Sequence, residues 1–222
     1  MPPRTRTTVG GCRIAYFWKS SMPGNPLFPI SGELLASDGS AVLVPDFFSS
    51  SEADNHFKDL LAKTPWEQHS LSMFGKQVLE PRLSAWHAEA ELAYTYSGQP
   101  RTPHPWNDPL TAVRMACEAH TGHLFNGALV NLYRSGADAM GWHSDDEPIN
   151  GINPVIASVS LGAERRFDLR HKRTHEVVSA VLPHGSLLVM SGACQTNWHH
   201  RIAKTTREIE PRINVTFRFL CC

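Results

Sequence analysis

Cysteine is scarce in this sequence and does not come in pairs. The five residues, Cys12, Cys117, Cys194, Cys221 and Cys222, are odd in number and form no C-x-x-C pair. That excludes a disulfide framework and leaves a zinc cluster without its ligand spacing. Also missing is any apolar run of membrane-spanning length, and the opening MPPRTRTTVGGCRIAYFWKS lacks the uninterrupted apolar core of a secretory signal. A soluble protein of a reducing compartment is expected, cytoplasmic or, in a eukaryote, nuclear, with no membrane partner. An excess of charge of one sign is absent too: Lys+Arg and Asp+Glu both number 21. The surface is therefore not coated for nucleic acid, and any contact with phosphates has to come from local patches.

What is present is enough to bury a full core, since 41% of the 222 residues are hydrophobic and no interior linker interrupts them. A single domain over 46–222 is expected, preceded by an extension, 1–45, that packs on it and whose apolar stretch AVLVP leads into Asp46. A monomer is expected. Ser49 and Glu52 form a capping box at the head of SSSEADNHFKDLLAK, with Phe57, Leu60 and Leu61 on one helical face. A second helix follows Asn107, with Pro109 at its first position, Leu110, Val113 and Cys117 as a stripe, and Gly122 as the stop. Beyond Gly127 the character changes to short β-type runs, GALVNLYR, VIASVSL, RRFDLRH, HEVVSAVL, SLLVM and INVTFRFL, separated by turn residues. The pattern predicts a mainly β member of the α+β class, a double-sheet jelly roll with flanking helices.

Trp142-His143-Ser144-Asp145-Asp146-Glu147 reads as a loop after the GALVNLYR strand. His143 and Asp145 form an H-x-D pair, whose side chains can point toward one ion from extended backbone. Such a pair arises readily by chance and can equally be two solvated residues, so a third ligand must be found. TNWHHRI offers His199 and His200 beside a predicted strand. Two histidines and a carboxylate make a facial triad that leaves iron(II) the open positions oxygen activation needs. Neighbours on a strand point to opposite faces, so only one of these histidines faces the pocket, and the residues alone do not say which.

In PRINVTFRFL, Arg212, Asn214, Thr216 and Arg218 alternate with Ile213, Val215, Phe217 and Phe219. The polar face is either solvated, as in many antiparallel sheets, or directed at a pocket. In a pocket the two guanidiniums need anions, and their forks match carboxylates, of which 2-oxoglutarate has two. By the same parity Leu129, Asn131 and Tyr133 share one face of GALVNLYR. Asn131 and Tyr133 can be amide and phenol partners of that cosubstrate, or an ordinary strand residue and a buried tyrosine.

The ordered set N-x-Y, H-x-D, H and R-x-N-x-T-x-R, in the text NLYRSG, GWHSDDE, ASVSLGAERRFDLRHK, HGSLLVMSG and PRINVTFR, closely resembles the AlkB family of nucleic-acid demethylases, especially members that repair alkylated DNA. The resemblance runs from about Phe74 to Leu220, roughly two thirds of the chain. It implies a double-stranded β-helix whose iron is held by His143, Asp145 and His200, because the family histidine stands just before a short apolar pair. It implies cosubstrate contacts from Asn131, Tyr133, Arg212, Asn214, Thr216 and Arg218, with Arg212 at the far carboxylate and Arg218 near the metal end, where it joins the catalytic set. Asp146 and Glu147 are implied to help line a damaged-base pocket.

A nucleotide-recognition segment over about 70–100 is implied as well. SMFGK, with Phe74, Gly75 and Lys76, resembles the hairpin that such enzymes press against DNA, and Phe74 is the wedge candidate. PRLSAWHAE, with Trp86, His87 and Glu89, resembles the lid over a flipped base. His87 stands where relatives commonly carry tyrosine, a departure that bears on base stacking. Arg166, Arg170 and Lys172, in the cluster RRFDLRHKR, match a segment that DNA-directed members direct at phosphates.

The activity so implied uses Fe(II), 2-oxoglutarate and O2 to hydroxylate an N-methyl group of 1-methyladenine or 3-methylcytosine through a ferryl oxidant, releasing succinate, CO2 and formaldehyde. The partner is alkylated DNA, single- or double-stranded, with RNA not excluded, and the base must leave its stack to be reached. The rival readings are an oxygenase of the same chemistry acting on a protein or small molecule, a non-catalytic nucleic-acid-binding β domain, and a zinc hydrolase. The last has no use for the Arg212 and Arg218 face.

Overall fold

A computed structural model describes residues 32–221 apart from 74–75, 90–91, 93 and 97–98. Phe74, Gly75 and most of the expected N-terminal extension lie outside the described residues, as does the side chain of Lys76. In chain order the elements are β1 (Gly32–Glu33), β2 (Ser40–Val44), α1 (Ser50–Lys63), β3 (Ser70–Met73), β4 (Lys76–Leu79), β5 (Leu83–Ala88), β6 (Tyr94–Tyr96), β7 (Gln99–Arg101) and α2 (Asp108–Thr121). Then come β8 (Gly127–Tyr133), β9 (Met140–His143), a 3₁₀ turn (Pro148–Asn150), β10 (Ile156–Gly162), β11 (Arg165–His171), β12 (Val177–Leu182), β13 (Ser186–Ser191), α3 (Cys194–Asn197), β14 (Trp198–Ile202) and β15 (Arg212–Arg218).

The larger sheet has seven strands in the order β1-β2-β13-β10-β15-β8-β5, and a smaller one has four in the order β12-β11-β14-β9. Sequence neighbours β10 and β11 lie in different sheets, which is the jelly-roll crossover expected from the strand pattern. Residues 40–44, the end of the expected extension, form a strand of the larger sheet: β2 pairs with β13 from Ser40↔Ser191 to Val44↔Leu187, and Ala41 and Leu43 are fully buried. A short apolar run between Gly and Pro residues looks the same in sequence whether it packs on a core or belongs to one; only the non-local pairing separates the two.

Both helices cover the outer face of the larger sheet. Ser49 caps α1 as expected, its backbone N–H bonded to Glu52 Oε2 at 2.9 Å. The packed face of α1 is Ala53, Phe57 and Leu60, whereas Leu61 is exposed, a correction of the expected stripe. α2 starts one residue before Pro109, capped by Asn107, and buries Leu110, Val113 and Cys117 as predicted; Gly122 ends it at φ 71°. These side chains meet Val130, Leu132, Val159, Ile213, Val215 and Phe217 in one core. Each such fully buried aliphatic or aromatic side chain contributes roughly 1.5–3 kcal/mol. A second core, between the sheets, contains Leu43, Phe167, Leu169, Leu182, Leu188, Trp198 and Ile202. Among the described residues no helix is long and apolar enough to cross a membrane.

Candidate active site

The space between the sheets opens beside β9, where the chain had been expected to form a loop. Met140–His143 is instead a strand, and Trp198–Ile202, which holds both candidate histidines, is its partner. His143 stands directly across from His200 in the register. The ring centroids are 4.2 Å apart, as a cross-strand pair requires. Parity then separates the neighbours: His200 is buried between the sheets and His199 is on the outer face.

Asp145 follows β9 and turns back toward the pair. One ligand atom from each of His143, Asp145 and His200 lies within 4.8 Å of the others. His143 Nδ1 is 2.9 Å from the Gly141 carbonyl, which can only accept, so Nδ1 is the donor and Nε2 is the nitrogen left to bind an ion. Asp145 Oδ1 accepts from Arg218 Nη2 at 2.8 Å, while Oδ2 lies 3.9 Å from His200 Nε2. Burial pushes the Asp145 carboxyl up, but Arg218, then His200 and His143, outweigh it and hold the group below the usual carboxylate range. Burial, reinforced by His143, presses His200 down to about 3. An ionised carboxylate beside a neutral imidazole is the protonation state a metal requires.

Behind this cluster β15 presents Arg212, Asn214, Thr216 and Arg218 to the same cavity, which Leu129, Asn131, Tyr133, Met190 and Leu182 also line. The polar face of β15 is thus not solvated: Arg212 is 1% exposed and Arg218 2%. Arg212 Nη2 donates to Ser160 Oγ at 2.9 Å and its Cζ lies 5.2 Å from the Tyr133 ring centroid. Among the described residues its Nε and Nη1 have no hydrogen-bond partner. Desolvation draws its guanidinium down to about 10. Asn131 Oδ1 accepts from Arg82 Nε at 3.0 Å, which leaves its NH2 as the group it can offer a ligand. Asn214 is different, because its NH2 is spent on Ser158 Oγ at 2.8 Å and the Val159 carbonyl at 3.1 Å, and its Oδ1 accepts from Thr216 at 3.1 Å. It braces the cavity floor rather than presenting a donor.

The remaining candidates are spread more widely. The expected lid is laid out in pieces: the β3–β4 hairpin, the strand β5 paired along its length with β8, and the β6–β7 ribbon. Trp86 and His87 are buried in β5, and His87 Nδ1 is 2.8 Å from the Pro105 carbonyl. Glu89 is exposed, 3.6 Å from Arg114. Asp146 is held by Lys172 Nζ at 3.1 Å, and Glu147 by Asn150 Nδ2 at 2.9 Å. Arg166 pairs with Asp168, and Arg170 stacks 4.4 Å from the Trp142 ring centroid. Arg165, in the same basic run, is no surface group: it is buried and donates to the carbonyls of Ser135, Asp138 and Ala203. Arg82, Ser158, Ser160, Asn150 and Gln195 touch site residues without having been singled out in the sequence. They come from separate strands and turns and share no spacing that could have marked them.

A jelly roll whose smaller sheet sets two histidines and a carboxylate around one point, with buried arginines behind, has the architecture of a mononuclear metal oxygenase that takes a dicarboxylate. The model of the 2OG-Fe(II) oxygenase superfamily matches residues 40–218. The chain is 43% identical over 186 residues to alpha-ketoglutarate-dependent dioxygenase alkB homolog 3 of Bos taurus, covering 79% of this chain and 64% of that protein. It is 42% identical over 183 residues to DNA oxidative demethylase ALKBH2 of Mus musculus, covering 77% of this chain and 76% of that one. The chain belongs to the 2OG-Fe(II) oxygenase superfamily and, within it, to the AlkB family. It spans 64% of the length of the alkB homolog 3 protein of Homo sapiens as well.

Solved structures agree on the fold. OsALKBH1 matches with TM-score 0.54 and 17% identity over 80% of this chain and 97% of that one. A prolyl hydroxylase from Trichoplax adhaerens matches with TM-score 0.54 and 13% identity over 81% of this chain and 83% of that one. The residues fit the groups for which the superfamily is named. The triad suits Fe(II), and the two unpartnered nitrogens of Arg212 suit a carboxylate of 2-oxoglutarate.

Proposed function

We propose that this protein is an Fe(II)- and 2-oxoglutarate-dependent dioxygenase that demethylates 1-methyladenine and 3-methylcytosine in DNA. The observation that carries the reading is the buried Arg212, which lines the same cavity as the His143, Asp145 and His200 cluster and has two nitrogens without a partner among the described residues. A zinc hydrolase or a binding domain has no need of such a charge, which costs several kcal/mol to bury unanswered. The match to a DNA oxidative demethylase supports the substrate class.

His143, Asp145 and His200 hold the ion, and Arg218 fixes Asp145 through Oδ1 so that Oδ2 remains for the metal. Arg212 takes the far carboxylate of 2-oxoglutarate, while Asn131 and Tyr133 add an amide and a phenol beside it. Bound Fe(II), with 2-oxoglutarate and O2, supplies the oxidant that converts the N-methyl group to N-hydroxymethyl, leaving succinate and CO2. The N-hydroxymethyl base then releases formaldehyde and a proton and regains the lone pair on its ring nitrogen. Leu129, Leu182 and Met190 form an apolar wall that keeps water from the reacting centre. Asp146 and Glu147, next to Asp145 in sequence, accept from an exocyclic amine of the flipped base. Phe74 is the wedge that fills the vacated stack, and Arg166 and Arg170 meet the backbone.

The test is anaerobic loading with Fe(II) and 2-oxoglutarate, then O2 and a 3-methylcytosine oligonucleotide, with products read by mass spectrometry. Loss of one methylene per lesion, with succinate, is expected in the wild type and in neither His200→Ala nor Arg218→Ala. Succinate without a change in the oligonucleotide would move the substrate to a protein or small molecule. Absence of both products would end the enzyme reading.

A further inference from the structure

The loop that carries Asp145 is held from outside by side chains that belong to neither the triad nor the cosubstrate site. The Asp145 N–H donates to Gln195 Oε1 at 2.9 Å, and the Asp145 carbonyl accepts from Asn150 Nδ2 at 3.3 Å, both within the protein interior. The same Asn150 NH2 reaches Glu147 Oε2 at 2.9 Å. One residue earlier, Ser144 Oγ donates to the Trp198 carbonyl at 3.0 Å.

Gln195 sits in the single turn of α3, between β13 and β14, and is 1% exposed. Among the described residues its NH2 finds only the soft acceptor Met190 Sδ at 3.6 Å, so its strong side-chain hydrogen bond is the one to Asp145. Its carbonyl is in turn gripped by Lys172 Nζ at 2.9 Å. A buried amide left without its partner costs about 1–3 kcal/mol. An apolar residue of similar volume would avoid that exposure to loss, and a side chain serving packing alone has no reason to be glutamine.

We propose that Gln195 is a positioning residue for the metal site, fixing the Asp145 peptide so that the carboxylate is already aimed when the ion arrives. Asn150 holds the next peptide unit, through the carbonyl on the other side of the Asp145 Cα, and ties Glu147, a candidate base-reading group, to it. The clamp complements Arg218: Arg218 sets the carboxylate, and Gln195 sets the backbone that carries it. The role rests on the triad being the metal site, and it concerns affinity and coordination before any turnover.

The probe is Co(II), titrated anaerobically into the metal-free protein, with visible absorption and affinity read together and the metal-free melting temperature recorded for each variant. Gln195→Met keeps volume and removes the acceptor. It is expected to weaken Co(II) binding about 10- to 100-fold and to alter the absorption bands while the metal-free protein still melts cooperatively. Asn150→Ala should act in the same direction. Wild-type affinity and an unchanged spectrum in Gln195→Met would overturn the proposal. If that variant does not fold, wild-type affinity and spectrum in Asn150→Ala would overturn it instead. Failure of the wild type to bind Co(II), or equal binding by His200→Ala, would remove the triad reading and this inference with it.

Discussion

At the residue scale a buried guanidinium is informative because its cost is known and its answer must be somewhere. Arg212 has Ser160 and the Tyr133 ring for company and two nitrogens to spare. If those nitrogens serve 2-oxoglutarate, Arg212→Met separates stability from binding. Removing an unanswered buried charge for an apolar side chain of similar length is neutral or stabilising to the metal-free protein. Losing a charge-assisted pair to a carboxylate costs about 1.5–3 kcal/mol, or roughly 10- to 100-fold in 2-oxoglutarate affinity. Chemical denaturation and 2-oxoglutarate titration, both on metal-loaded and metal-free protein, check the two halves. A variant that loses stability and keeps its affinity would make Arg212 a structural residue. The same scale shows what one-dimensional reading reached. Parity placed Arg212 and Arg218 on one face and separated His199 from His200, because side-chain direction on a strand is local. It gave no sign of Gln195, Asn150 or Arg82, whose roles come from what lies across the fold.

Elements were legible to the extent that their causes were local. The Ser49 cap, the Gly122 stop and the alternation of β15 are written within a few residues, and each appears where expected. β9 was not legible, since MGWH has little strand character and owes its extension to β14 across the site. The crossover from the larger sheet to the smaller shows the same dependence. Gly162 ends β10 opposite Arg212, at φ +88°, and a Cβ there would come within 2.4 Å of the Pro211 carbonyl and 2.8 Å of the Phe57 ring. Backbone and core both block an added methyl group. Gly162→Ala is expected to destabilise the fold by roughly 2–4 kcal/mol, measured by urea unfolding, and to weaken 2-oxoglutarate binding because Arg212 is its register partner. Full stability in that variant would mean that the crossover relaxes freely and does not set the position of Arg212.

Across the whole molecule a net charge of zero conceals an uneven surface. The outer face of the larger sheet is covered by α1 and α2, while the outer face of the smaller sheet carries Arg166, Arg170, His199 and Arg201 around Trp142. Asp168, 1% exposed, accepts from Arg166 Nε at 2.6 Å and Arg201 Nε at 2.9 Å, and so fixes the direction of both forks while leaving one net positive charge on the trio. A neutral chain can meet a polyanion only through a local patch of this kind. The three candidate phosphate-binding residues are not equivalent, however. Arg170 has its aromatic neighbour and Arg166 is largely exposed, but Lys172 already spends its ammonium on Asp146 and the Gln195 carbonyl. Binding of a single-stranded oligonucleotide, followed against salt, distinguishes them. Arg166→Ala and Arg170→Ala should each reduce the slope of log affinity against log salt by about 0.7, the value for one phosphate no longer neutralised, with succinate formation in the absence of nucleic acid unchanged. Lys172→Ala should leave the slope nearly as it was and instead loosen the Asp146 and Gln195 side of the metal loop. Equal slope changes in all three would show that the Lys172 pair opens when the strand arrives. No change in either arginine variant would take the backbone off this face and leave the hairpin around Phe74 to carry it.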